Sequence, residues 1–202
     1  MRHTYGLLSY NELIELQKQK VIQDSLPELV NSASIDIRLG RHIWIEAESH
    51  RQNKVSLKER KPLNMFMHDL SICPYVLSPD EFILAQSIEI FNLPRDISAE
   101  YKLKSSMARI GLEHLNAGWC DAGWNGSVLT LELKNVTRHH LIELNYGDKI
   151  GQLVFFKHTK VPEDKSYAVR GAYNGDKQAT PAKAEKLSKP IADSITGSSD
   201  GC

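Results

Sequence analysis

Cysteine is scarce in this chain of 202 residues, aromatic residues make up only 7%, and neither sign of charge is in excess. Each shortage closes a class of function. The three cysteines, Cys73, Cys120 and Cys202, are odd in number and far apart in sequence, which argues against a disulfide framework and for a reducing compartment. Lysine plus arginine and aspartate plus glutamate balance at 25 each, so no overall field draws the chain to nucleic acid or to an anionic membrane, and any phosphate binding has to be local. No apolar run approaches the roughly 20 residues that cross a bilayer. Met1 to Leu8 is too short and too polar for the apolar region of a secretory signal. The expectation is a soluble, cytoplasmic protein with neither a nucleic-acid nor a membrane partner.

What is present suits one core. With 41% hydrophobic and 25% charged residues, the chain predicts a single domain over residues 1–182. A tail follows at 183–202, rich in Lys, Ser, Ala and Gly, and it is expected to be disordered. Ser9 with Glu12 makes a capping-box pattern that opens one short helix, with Leu13, Ile14 and Leu16 as its apolar stripe and Lys18 and Lys20 at its end. From Ser34 onward the period drops to two. Ile35, Ile37 and Leu39 alternate with Asp36 and Arg38, and Ile43 and Ile45 flank Trp44. Further strands are predicted over Asp80–Ile90, Ser127–Leu133 and Ile150–Phe156. The loop of about 48–60 is polar and carries no motif. Many short strands and one helix indicate a β-rich sandwich or barrel.

The densest chemistry lies between Lys102 and Asn135. In KLKSSMARIGLE, Ser105 and Ser106 precede Arg109, and short hydroxyls beside a guanidinium suit a phosphate; a turn with a solvated Arg is the bland alternative. AGWCDAGWNGS interleaves Gly118, Gly123 and Gly126 with Trp119, Asp121 and Trp124. That pattern fits either a backbone pressed close to a ring-shaped ligand or a hairpin with core tryptophans. SVLTLEL puts Leu129, Leu131 and Leu133 on one face and Val128, Thr130 and Glu132 on the other. A carboxylate in the middle of such a strand is costly unless it is exposed, paired or lining a site.

Five blocks, in order, resemble the successive signatures of the dCTP deaminase and dUTPase superfamily. They are SASIDIRLG (32–40), LSPDEFILAQSIEIFNLP (77–94), KSSMARIGL (104–112), AGWCDAGWNGSVLTLELKN (117–135) and LNYGDKIGQLVFF (144–156). The resemblance implies a mainly β, dUTPase-like β-barrel or distorted jelly-roll with few short helices, assembled as a homotrimer with sites between subunits. It implies deamination of dCTP to dUTP and ammonia, with Mg2+ bound through the triphosphate and no zinc. Glu132 would be the general base, and Ser105 and Arg109 would complete the catalytic set. Ser106, Ala117, Gly118, Trp119, Asp121, Gln152, Tyr167, Arg170, Tyr173, Lys177 and Gln178 would bind substrate. Zinc deaminases instead carry H-x-E with P-C-x-x-C, and this chain has neither motif. Adjacent His139 and His140 would point to opposite faces of a strand, unsuited to one metal.

The chain departs from the family in one place. Where a Lys-Tyr pair normally closes over the triphosphate, Ala172 precedes Tyr173. That departure, together with Asp121, keeps two other readings open: a dUTP diphosphatase, alone or combined with deamination to give dUMP and pyrophosphate, and a catalytically silent nucleotide-binding trimer.

Overall fold

Strands whose residues alternate inward and outward must find a partner face for their apolar side, and the described residues of this chain form thirteen strands. The computed structural model describes residues 5–48, 54–57 and 62–183. The order begins β1 (Gly6–Leu7), α1 (Tyr10–Lys18), β2 (Ile22–Gln23), β3 (Ile35–Arg38) and β4 (His42–Glu46). It continues through β5 (Met65–Asp69), β6 (Tyr75–Leu77), β7 (Phe82–Asn92) and β8 (Ile97–Leu103). A short α2 (Ser105–Arg109) precedes β9 (Leu112–His114), β10 (Trp119–Cys120), β11 (Asn125–Asn135), β12 (Ile142–Leu144) and β13 (Lys149–Lys157), and α3 (Tyr167–Arg170) follows.

One sheet is ordered β1-β13-β8-β10, with β3 also on β13. The larger is ordered β5-β4-β7-β11-β9, with β2 also on β7, and β12 with β6 forms a separate ribbon. Every pairing between these strands is antiparallel. The protein is thus mainly β with few short helices, as expected, but among the described residues the sheets do not close into a barrel. The reason lies at β9, which pairs only with Leu133 to Asn135 at one end of β11 and so ends the larger sheet instead of continuing it around.

The helix at the start forms as its cap predicts. The Ser9 backbone N–H donates to Glu12 Oε2 at 2.9 Å, and Leu13 and Leu16 are buried on the inner side. Of the three long strands, β7 is shifted two residues later than predicted, to Phe82–Asn92, and the other two run slightly beyond their predicted bounds, to Asn125–Asn135 and Lys149–Lys157. Their inward residues join Leu13, Ile35, Ile37 and Ile43 in one hydrophobic cluster. Of the expected tail only Lys183 falls among the described residues, and its Nζ donates to both oxygens of Asp176 at 2.8 and 2.7 Å. Residues 184–202 lie outside them.

One charged pair sits inside this core. Glu89 on β7 is fully buried, and its carboxylate accepts from Arg38 Nε at 2.8 Å and from the Arg38 backbone N–H at 3.0 Å. Burial pushes the Glu89 carboxyl above its ordinary range, and Arg38 pulls it back only in part. Removing one member of such a pair strands a buried charge. Arg38→Met is therefore expected to cost about 3–5 kcal/mol in denaturant unfolding, and Arg38→Met with Glu89→Leu to recover most of that loss.

Candidate active site

The site is built on β11. Its pairing with β7 is interrupted between Val128 and Thr130, where Ser87 of β7 turns its hydroxyl to accept the Leu129 N–H at 2.9 Å. Beyond that irregularity Leu131 and Leu133 are fully buried. Thr130 and Glu132, on the opposite face, line a cleft of about 590 Å³. That size suits a small ligand, since such sites run from roughly 300 to 1,000 Å³. Val55, Leu57, Leu63, Met65, Phe82 and Leu84 supply much of its apolar wall.

Glu132 is half-buried, and its Oε2 lies 3.4 Å from His114 Nε2 without the alignment of a hydrogen bond. His114 is 5% exposed and packs its ring against Tyr101, centroid to centroid 4.6 Å. Three buried polar atoms here have no hydrogen-bond partner among the described residues: Tyr101 Oη, His114 Nε2 and Glu132 Oε2. Leaving such an atom unsatisfied costs about 1–3 kcal/mol, a cost that functional sites commonly carry. Burial foremost, and the Glu132 charge after it, push the Tyr101 phenol above its usual range.

The hairpin facing Glu132 divides its two tryptophans. Trp124 is a core residue, stacked on Phe91 at 5.5 Å and donating its indole N–H to the Tyr173 carbonyl at 3.1 Å. Trp119 is 58% exposed and donates its indole N–H to Asp121 Oδ1 at 2.8 Å. Asp121 stands on the wall between the cleft and a second cavity of about 470 Å³, which Lys165, Tyr167 and Arg170 also line. Cys120 between them is buried, and burial with the Asp121 charge pushes its thiol up to about 12. It is an apolar wall element and not a nucleophile.

The segment after α3 closes the cleft by hydrogen-bonding back to the sheet. The N–H groups of Tyr167, Gly175 and Val128 donate to the carbonyls of Ala122, Asn125 and Asp176 at 3.0, 3.0 and 2.9 Å. Tyr173, Asp176 and Thr180 line the cleft from this side. Beside Ala172, Lys183 Nζ donates to the Ala172 carbonyl at 3.0 Å and lies 5.0 Å over the Tyr173 ring.

The structure brings together Glu132, Ala117, Trp119, Asp121, Tyr167 and Tyr173 around the cleft. Gly118 lies behind it, its backbone carbonyl accepting the Tyr101 N–H at 2.8 Å. Arg170 lines only the second cavity. Ser105, Ser106 and Arg109 are exposed on α2 and line neither cavity. Lys177 and Gln178 are exposed on the closing segment, outside the lining. Gln152 is on β13 in the other sheet, with Oε1 accepting from Ser34 Oγ at 2.8 Å. Sequence reading missed His114, Tyr101 and Asp176. It also missed Val55 and Leu57, from a loop without a motif, because proximity to Glu132 arises only on folding. The alternation of Leu112 and His114 on β9 was the one local sign.

Tyr101 reaches this spot because residue 151 has no side chain: a Cβ there would come within 2.1 Å of the ring. Gly151→Ala is expected to lower unfolding stability by about 1–3 kcal/mol, and an unchanged melting midpoint would contradict that packing.

A family model described as dCTP deaminase-like matches residues 7–158. A protein of Acidothermus cellulolyticus named "dCTP deaminase, dUMP-forming" is 36% identical over 176 residues, covering 84% of this chain and 90% of its own. A relative of the same name from Thermobifida fusca is 36% identical over 162 residues, covering 78% and 81%. The crystal structure of 2'-deoxycytidine 5'-triphosphate deaminase from Agrobacterium tumefaciens shares the fold with a TM-score of 0.61 at 24% identity. That match covers 77% of this chain and spans 50% of the other. By the extent of the family match and the coverage of these relatives, the chain belongs to the dCTP deaminase-like family.

Proposed function

We propose that this protein deaminates dCTP and carries the product on to dUMP. The observation that supports this most is a single apolar cleft with two carboxylates, Glu132 and Asp121, that have no lysine or arginine partner among the described residues. The third carboxylate there, Asp176, is engaged by Lys183 and by the Thr180 hydroxyl. Two available carboxylates suit two successive hydrolyses. The names of the relatives move the expected product from dUTP to dUMP.

Glu132 takes a proton from a water that adds to C4 of cytosine and passes it to N3, and then carries the proton of the new C4 hydroxyl to the exocyclic amine. Ammonia leaves, C4 becomes a carbonyl, and dUTP is formed. A second water, deprotonated by Asp121, breaks the link between the α- and β-phosphates. The sum is dCTP plus two waters giving dUMP, pyrophosphate and ammonia. Tyr167 and Tyr173 would face the nucleotide, and Arg170 in the adjoining cavity would meet its phosphates. Ser105, Ser106 and Arg109, exposed on α2, would serve the cleft of a neighbouring copy in a homotrimer, positioning water and base there. Trimeric assembly predicts a solution mass of three chains by light scattering; a monomer would remove that role for α2.

Magnesium would be held by the triphosphate, whose charge it neutralises and whose shape it orients. Among the described residues no group of three or more His, Cys, Asp or Glu is placed to hold a metal, so the ligands would be phosphate oxygens and water. We place the reaction in the cytoplasm, where an exposed thiol such as Cys73 stays reduced.

Hydrolysis of dUTP alone is the second reading, favoured by the position of Asp121 between the two cavities. The test is incubation with dCTP and with dUTP in the presence of magnesium, following ammonia, dUTP, dUMP and pyrophosphate. Ammonia, dUMP and pyrophosphate from dCTP support the proposal; pyrophosphate from dUTP with no ammonia from dCTP leaves the second reading. Glu132→Gln is expected to slow ammonia release by about 10²–10⁴-fold with nucleotide binding retained, and a fully active variant would refute the general-base role. Asp121→Asn is expected to keep ammonia release while the product stops at dUTP.

A further inference from the structure

We propose that His114 is a positioning residue for the general base: its imidazole Nε2–H holds Oε2 of Glu132, leaving Oε1 to meet the water in the cleft. The inference rests on the reading of Glu132 as that base.

The backbone sets the two residues side by side. His114 pairs with Leu133, the residue after Glu132, and the Leu115 N–H donates to the Glu132 carbonyl at 3.0 Å. The turn that follows then decides which nitrogen faces the carboxylate. Asn116 adopts a left-handed conformation with φ of 60°, and its backbone N–H donates to His114 Nδ1 at 3.2 Å. A ring nitrogen that accepts carries no proton in the neutral imidazole, so the proton resides on Nε2. Nε2 is the atom 3.4 Å from Glu132 Oε2.

The ring cannot swing away. Tyr101 packs against it at 4.6 Å, and Tyr101 is itself confined, because the space above Gly151 is filled by the phenol. Both rings are buried, at 2% exposure for Tyr101 and 5% for His114. A donor and an acceptor thus face each other out of solvent, slightly misaligned and each without another partner among the described residues. Contacts of this kind in ligand-free sites commonly tighten when substrate arrives. A carboxylate on a strand can rotate about its terminal torsion, and a donor fixed to one oxygen removes that freedom. Proton transfer with water depends on this alignment, whereas ground-state binding of the nucleotide does not.

Two measurements test the assignment. In the kinetic arm, His114→Ala is expected to lower kcat for ammonia release from dCTP at least tenfold with KM within twofold of wild type. His114→Asn, whose amide can still donate, is expected to restore part of that loss, with the melting midpoints of both variants recorded alongside. A kcat within twofold of wild type, or an Asn variant no better than Ala, overturns the proposal. In the spectroscopic arm, ¹⁵N NMR of the imidazole should report the Nε2–H tautomer, with a resonance that moves in Glu132→Gln. An Nδ1–H tautomer, or a resonance indifferent to Glu132→Gln, overturns it as well. A wild-type protein inert towards dCTP would sink the deaminase reading instead, and the NMR arm would still decide whether His114 holds Glu132.

Discussion

The pairing of β11 with β7 fixes the positions of everything else in the site. Glu132 lies opposite Leu84, with Leu131 opposite Ala85 and Leu133 opposite Ile83. Because strand side chains alternate, a slip of one residue would drive the Glu132 carboxylate into the core and turn two leucines into the cleft. The register is held by an irregularity in β7. Ser87 accepts the Leu129 N–H in place of a ladder partner and donates to the Glu89 carbonyl at 2.7 Å. Bulges next to active sites often re-aim side chains in this way. The same departure from regular pairing leaves Glu89 directed at Arg38, so the buried ion pair and the orientation of the cleft have a common origin.

The parts of this architecture that were legible beforehand are those set by neighbours in sequence. Alternation gave β11 and its face of Val128, Thr130 and Glu132, and the Ser9 and Glu12 pattern gave α1. The capacity of Trp119 and Asp121 to sit by a ligand was also visible from their glycine-rich setting. β8 was not legible, although it lies at the centre of its sheet between β13 and β10. No strand is predicted over its residues, where polar Ser98, Glu100 and Lys102 alternate with Ala99 and Tyr101, and pairing on both sides makes that run a strand. Gln152, whose motif suggests a role in binding, lies on a strand of the sheet away from Glu132, a placement that only the pairing of β13 reveals.

The polar chemistry is confined to a few points on greasy walls. Phe82 and Leu84 make part of the wall apolar while Glu132, Asp121 and Asp176 supply the charge. A poorly hydrated setting strengthens each electrostatic contact made within it. It also makes each unmet donor or acceptor expensive, so the three atoms of Tyr101, His114 and Glu132 that lack a partner among the described residues make this corner of the cleft a costly one. Asp176 illustrates the alternative treatment of a charge at the same wall, clasped from both sides by Lys183.

That clasp also gives the cleft a direction in time. Both sheets can pair from residues up to Lys157, yet the wall carrying Tyr173, Asp176 and Thr180 follows them in sequence. On a ribosome the scaffold emerges before the wall, and a chain released short of residue 176 would keep its strand pairings while its cleft stood open. Completion of the cleft is therefore left to the segment made after β13, and a folded β core does not by itself report a finished wall.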